Sequence, residues 1–425
     1  MTSRDVVAEI TEYNLPLADD AHRVRDSDGK DLTAEALSRK LEALARSPFA
    51  FFRGTFHLMA RDVLQARVPH AVAAAPEALI VGDLHLENFG VYRGASGALC
   101  FDVNDFDDVG MGPADFDLKR LCTSAYLLPG VSHAQRIAAA KAIANGWSEA
   151  VERIGGRFPV AAYDSKAQTP VTELMNAHGA TSNAQMIGKA APGAGHKQFD
   201  CAKDPRKYAR AGKAWGHLAE KAFDEYLAAL KQLKVPMRQH WRILDTAYRF
   251  KGTGSLGRLR FSILCGFDEE RRIVEIKEAR PSALDEARGR APSQSRARAQ
   301  TAAIRRLQGS PWPLVAGTHF GKVQALAREI QAEEEKIGTV RFSSANTDAS
   351  HIELVSYARQ CGEVTARLHC RASAHALLDD GSFDAARAAH EAVVFAEKYA
   401  AQVEHDQKAY LHARASIAKA LGTAD

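Results

Sequence analysis

RFKGTGSLGRLRFSILCGFDEERRIVEIKEA, residues 249–279, is the stretch on which the fold turns. Leu259, Phe261 and Ile263 alternate with other residues, and apolar positions return at Ile273 to Ile276 beyond the polar turn Asp268-Glu269-Glu270. A period of two marks half-buried strands, so two antiparallel strands are predicted. Glycines 252, 254 and 257 stand just before the first of them. A dinucleotide fingerprint needs a helix after its glycines, whereas here a strand follows. A Walker-type loop needs Lys and Ser/Thr directly after the last glycine, where Arg258 and Leu259 stand. What remains is a glycine-rich β-turn whose N–H groups can approach a phosphate.

Upstream, seven aspartates fall between Gly82 and Asp117: Asp83, Asp102, Asp105, Asp107, Asp108, Asp115 and Asp117. Carboxylates at this density repel one another unless protonated or bound to a cation. Mg²⁺ is the usual partner where phosphates are present, and it takes only one or two side-chain oxygens. Asp83 and Asn88 lie five residues apart in GDLHLENFG, directly after the short apolar run of EALIV. Aspartates that cap helices or close turns are the bland alternative.

The two stretches together resemble a protein-kinase-like phosphotransferase site. A kinase glycine turn is followed by a strand lysine on the phosphates, and Lys277 in EIKEA stands 25 residues beyond Gly252. GDLHLEN is similar to the catalytic loop of aminoglycoside and choline phosphotransferases. That resemblance implies Asp83 as catalytic base, Asn88 as metal ligand and His85 as a group packing or orienting the loop. NDFDDVGMGPADFDL resembles the segment carrying the metal-binding aspartate, which assigns that role to Asp105, with Asp102 as rival ligand and Asp117 anchoring the following helix. Gly252, Thr253, Gly254, Ser255, Gly257 and Lys277 would hold ATP. The sequence departs from protein kinases in two places. Val81 stands where their histidine precedes the base, and the helix expected over 293–308 has no glutamate for Lys277, leaving Gln300, Glu278 or Glu286.

The order is also reversed. The catalytic loop precedes the glycine turn, and Ala366-Arg367-Leu368-His369, similar to the end of the helix that normally leads into that loop, lies near the C-terminal end. A circularly permuted kinase-like fold is therefore expected, of α/β (α+β) class. Its parts would be a helical catalytic lobe over 1–242, a β-rich nucleotide lobe over 243–335 and completing helices over 336–425. SPFAFFRGT, GDLHLENFG, FDVNDFDD, GPADFDLKRL, GTGSLG, IKEA and AREIQAEE, with the ARLH helix, resemble the bacterial family called domain of unknown function 2252. Arg53, within SPFAFFRGT, is expected either at the site or in helix packing.

Elsewhere the pattern predicts a helix over 31–46, a hairpin around Gly94–Gly97 and mostly helix from 115 to 241. Long helices are expected over 351–376 and 383–421. Net charge is only +4 over 425 residues, and no basic strip is interleaved with aromatics, so nucleic acid is not an expected partner. The arginines between Arg280 and Arg298 suit either an anionic ligand or a solvated face. Six cysteines without a CxxC pair fit a reducing compartment. With no apolar leader in MTSRDVVAEITEYN and no span-length apolar run, a soluble, cytoplasmic protein without a membrane partner is expected. The functional expectation is ATP- and Mg²⁺-dependent transfer of the γ-phosphoryl group to a hydroxyl, first of a small molecule. AMP transfer to protein, a nucleotide-binding pseudokinase and a metal-dependent hydrolase are the alternatives.

Overall fold

The structure, a computed structural model, describes residues 5–68, 75–155, 169–179, 181–235, 241–291, 295–343, 348–378 and 383–423. Helices α1 (Val6–Asn14) and α2 (Leu32–Ala45) start on Asp5 and Asp31, each accepting from the amide three residues on, at 3.0 and 2.9 Å. Each cap satisfies an amide that the helix itself leaves unpaired. Helices α3 (Pro48–Gly54) and α4 (Phe56–Leu64) follow. Strand β1 (Glu77–Ile80) leads into the predicted hairpin of β2 (Phe89–Arg93) and β3 (Leu99–Val103), and β4 (Gly110–Pro113) returns to pair with β1.

Helix α5 (Phe116–Tyr126) is buried along its whole length, and α6 (His133–Ile154) opens on a Ser132/Gln135 capping box. Next come α7 (Pro170–His178), α8 (Asn183–Ala190), β5 (Tyr208–Ala209) and α9 (Lys213–Gln232). The predicted strand pair is β7 (Arg260–Phe267) with β8 (Glu270–Glu278), preceded by β6 (Arg242–Arg249), a strand the sequence pattern had not separated. After α10 (Ala283–Ala287) comes α11 (Arg296–Leu307), the helix expected over 293–308, of which 293 and 294 lie outside the described residues. Strands β9 (Val315–Phe320), β10 (Val323–Ile330) and β11 (Glu335–Lys336) precede α12 (Val340–Ser343), and α13 (Asp348–Leu378) and α14 (Ala385–Ala420) close the chain.

The class is mixed α+β. One antiparallel sheet has the order β5-β6-β7-β8-β10-β9, and β11 joins β2 and β3 in a smaller one. Because strand side chains alternate between faces, Tyr248, Phe261, Ile263, Val274, Ile276, Ala325 and Ala327 share one face of the large sheet. They pack with Ala219, Ala222, Phe223 and Tyr226 of α9, an apolar stripe at helical spacing. Ile187, Ala190, Phe199 and Tyr208 pack with Ala247, Leu264 and Ile273 of the sheet. The segment from 183 to 232 thus shares its core with the sheet rather than with the helices before it, so the sheet's body starts ahead of residue 243. The other core joins α1, α3 to α6, α13 and α14. Within it, α6 and α13 cross closely, since a Cβ at Gly146 or Gly362 would strike the backbone of the opposite helix at Arg359 or Ile143. Among the described residues, no helix is long and apolar enough to cross a membrane.

Candidate functional site

A cavity of about 390 Å³ separates the helical part from the charged face of the large sheet, within the size range of small-molecule sites. On the helical side it is bordered by residues 83–88 and 104–108. Gly82 starts this loop at φ +84, and a Cβ there would press to 2.7 Å on the carbonyl oxygen of Asp108. Only glycine fits both demands. The Asp117 carboxylate accepts from the amides of Val81 and Gly82, both at 2.8 Å, and from Nε2 of His369 at 3.1 Å. Trp147 Nε1 donates to Nδ1 of His369 at 3.1 Å, so the histidine proton sits on Nε2. Asp117, expected to anchor its own helix, reaches back to the loop instead, and the histidine of the ARLH helix completes the same network. Asp117, His369 and Trp147 are all fully buried.

Asp83 borders the cavity with its Oδ1 held by Arg120, which donates from Nε at 2.9 Å and also from Nη2. Arg120 is itself fixed by the Phe52 carbonyl at 2.9 Å and lies over the Phe52 and Phe56 rings. Burial raises the pKa of Asp83 to about 6 against the pull of Arg120. Asn88 donates its amide to the Asp83 carbonyl at 2.8 Å, which leaves the Asn88 side-chain oxygen for a donor or a cation. His85 faces two donors, the Glu87 amide at 3.1 Å and Arg53 Nε at 3.2 Å, and burial followed by the Arg53 charge keeps the ring neutral. Its contacts hold the loop and Arg53. Arg53 borders the cavity and pairs with Glu87 at 2.6 Å, while Glu87 also accepts from Lys336 and Thr339 at 3.1 and 2.8 Å.

The acidic segment divides. Asp105 stands exposed at the cavity, and desolvation by the surrounding chain followed by the Asp107 charge raises its pKa. Asp102 does not border it. Strand alternation turns its carboxylate toward the end of α11, where it accepts from the amides of Val103 and Gly309 at 2.8 and 2.9 Å, with Arg371 at 3.7 Å. The rival ligand is therefore a structural acid facing the other way. Asp107 pairs with Lys277 and, at 3.2 Å, with Arg258. Burial opposes its charge, but Lys277 and Arg258 outweigh that and hold the carboxyl far below its usual range. Asp108 accepts from the Ala283 amide at 3.0 Å, and Asp115 pairs with Lys119 at 2.8 Å.

Lys277 thus finds its acidic partner in residue 107 rather than in the following helix or in Glu278 or Glu286. Glu278 is next in the strand and so points the opposite way, where it accepts from Leu259 N at 3.0 Å and meets His22 at 3.2 Å. Helix α11 acts on the Asp107 main chain. Gln300 Nε2 donates to the Asp107 carbonyl at 3.0 Å, and Arg296 donates to the Asp107 and Val109 carbonyls at 2.7 and 2.6 Å. The other arginines of 280–298 are also largely occupied within the chain. Arg280 meets the Tyr13 carbonyl, Arg288 pairs with Glu77 at 2.5 Å, and Arg290 pairs with Asp285 at 3.3 Å.

Gly252, Thr253, Gly254 and Ser255 border the cavity between β6 and β7; Gly257 does not, and at φ +92 it packs toward Leu37. Ser255 Oγ donates to the Lys251 carbonyl at 3.3 Å, and Arg260 donates to Ser255 Oγ at 3.2 Å and to the same carbonyl at 2.9 Å. From below, the buried Lys40 donates to the Gly254 carbonyl at 2.9 Å and to Asn14 at 2.7 Å. Lys40 was not foreseen, although it occupies a position of the apolar stripe Ala36, Leu37, Leu41, Leu44, where a lysine needs a buried partner. Arg120, Arg258, Arg260 and the pairing role of Asp107 were likewise missed.

The donors at the cavity suit a magnesium ion. Asn88 offers one amide oxygen, and Asp105 is a carboxyl whose ionisation the neighbouring Asp107 charge opposes and a cation would favour. Among the described residues no group of three His, Cys, Asp or Glu is placed to hold a metal. Mg²⁺ does not require one, because phosphate and water complete its octahedron. No curated protein and no solved structure matches the chain. A family model described as an uncharacterized protein conserved in bacteria (DUF2252) matches residues 32–413, which include both sides of the cavity, and the chain belongs to that family.

Proposed function

We propose that the chain is an ATP- and Mg²⁺-dependent phosphotransferase of circularly permuted, protein-kinase-like architecture that acts on a hydroxyl group. One observation carries the reading: Asp83, Asn88 and Asp105 border the same cavity as Gly252–Ser255 and Lys277, which the chain encodes far away. Lys277 lies on the third strand counted from β6, the strand that enters the glycine turn, which agrees with the strand position of the kinase lysine.

The glycine turn and Lys277 would bind the phosphates, with Lys277 exchanging part of its pairing with Asp107 for them. Arg120 occupies Oδ1 of Asp83 and so leaves Oδ2 to accept the acceptor's hydroxyl proton. The acceptor oxygen bonds to the γ-phosphorus while the bond from that phosphorus to the bridging oxygen breaks, and ADP leaves with the electron pair. Asn88 and Asp105 would hold Mg²⁺, whose charge would offset that of the phosphates. The charged groups that are buried in the cavity wall, Arg258, Arg260, Glu275 and Lys277, interact more strongly there than they would in water.

Calorimetric titration with MgATP and a turnover screen over hydroxyl-bearing metabolites test the reading. MgATP should bind the wild type, lose affinity in Lys277→Met, and bind Asp83→Asn with turnover reduced about 1,000-fold. Absence of MgATP binding, or wild-type turnover by Asp83→Asn, would sink it. Release of pyrophosphate in place of ADP would move the assignment to AMP transfer. MgATP binding with no turnover in any arm would move it to a pseudokinase.

A further inference from the structure

The cavity wall formed by the sheet is charged, where a flat base would be expected to need apolar surface. Arg260 and Lys277 are register partners on β7 and β8, and Ser262, Glu275 and Arg328 form the next row across β7, β8 and β10. Arg249 follows Tyr248, the register partner of Phe261, on β6 and reaches that row with its side chain, Nη1 donating to Ser262 at 3.3 Å. Arg328 is matched by Glu334 through two bonds of 2.7 Å. Arg249 and Arg260 have one carboxylate between them, with their Nε atoms 3.3 and 3.9 Å from Oε2 of Glu275. Both Nε atoms and that Oε2 are buried and make no hydrogen bond. The two arginines are only 6% and 5% exposed, and Lys251, which borders the cavity beside them, adds a third positive charge. Burial opposes ionisation of Glu275, yet Arg260 and Arg249 outweigh it and hold that carboxyl well below its usual range. Buried guanidinium groups with unmet donors are costly unless an anion completes them.

Resting on the reading that this cavity takes a phosphate-bearing ligand, we propose that Lys251 and Arg260, which border the cavity, form with Arg249 behind Glu275 a second anion subsite, beside Lys277, for a phosphate group. A guanidinium fork suits the oxygens of phosphate, and three positive charges against Glu275 leave an excess that a phosphate dianion neutralises. The group is either a phosphate of the nucleotide itself or one already carried by the acceptor. In either case the subsite selects ligands with an anion at the sheet end of the cavity.

Inorganic phosphate, titrated into the full chain and followed by calorimetry and thermal unfolding, tests this. It should bind the wild type and Lys277→Met alike, and about tenfold or more weakly to Arg260→Met and Lys251→Met. Arg260→Met also removes a contact to the glycine turn, so Lys251→Met, altered at an exposed side chain, is the variant that keeps the fold. Phosphate that fails to bind the wild type, or that loses affinity only in Lys277→Met, overturns the subsite. MgATP binding, measured separately, decides the wider reading of the cavity. With MgATP saturating, exclusion of phosphate assigns the subsite to the nucleotide, and continued phosphate binding assigns it to the acceptor. Both outcomes support the subsite.

Discussion

The two walls of the cavity are finished differently. On the helical side the loop from Val81 to Asn88 is fixed through its main chain, by Asp117, His369 and Trp147 beneath it and by Asn88 within it. On the sheet side β7 and β8 are paired in continuous register, but buried side-chain atoms of Arg249, Arg260 and Glu275 lack hydrogen bonds. A wall that must hold one base at one position is built from satisfied contacts. A wall that receives a ligand keeps donors for it. The difference separates positioning from recognition, and variants can probe each wall alone.

The largest expected effect is on the loop's own acid. Asp83→Asn keeps an acceptor for Arg120 and removes the base, so turnover should fall about 1,000-fold, on the order of 4 kcal/mol in the barrier. A loss of less than threefold would show that Asp83 takes no proton. Next is the support under the loop. Asp117→Ala leaves two buried amides and His369 without their acceptor, and urea unfolding should register a loss of about 3 kcal/mol. A loss below about 1 kcal/mol would mean that the loop holds its shape without Asp117.

The pH profile follows in size. Asp83 accepts a proton only when ionised, and burial raises its pKa to about 6. Turnover should therefore fall about tenfold per unit below that value and level off above it. The sign for stability is opposite. Between the ordinary carboxyl value and about 6 the folded chain binds this proton more tightly than the unfolded chain, so this group's contribution to stability declines as pH rises through that window. A flat rate between pH 5 and 7 would remove Asp83 as the titrating base. The smallest effect is at the bottom of the network. Trp147→Phe keeps a ring in the core and deletes one donor to His369, for a loss of about 1 kcal/mol in the same unfolding measurement.

Local patterns were readable. Alternation in 259–276 gave β7 and β8, and apolar periodicity gave α2, α13 and α14. The resemblance carried by GDLHLEN and by the lysine after the glycine turn implies one site, and Asp83, Asn88 and Lys277 border one cavity. What escaped depends on contacts between distant segments. Nothing near Lys277 in the chain indicates that its partner is Asp107, because that pairing forms only when the two parts close on each other. Asp102 and Asp105 have the same chemistry three residues apart, and the strand's alternation up to Val103 decides which of them meets the cavity. The stripe of α9 signalled an amphipathic helix, but a stripe does not say whether it will meet helices or a sheet.

The segment from Phe106 to Val109 carries one more consequence. It is encoded between two strands of the helical part, yet Lys277 and Arg258 reach it from the sheet, while Ser282, Ala283, Arg296 and Gln300 hold it from α10, α11 and the residues beside them. If the sheet tilts to admit or discharge a ligand, Lys277 and Arg258 would travel with it and pull on Asp107, while Asp83 stays behind on its buried footing. Widening the mouth would then draw the stretch that carries Asp105 away from Asp83, so under the proposed function the same movement that lets a ligand pass would interrupt the chemistry.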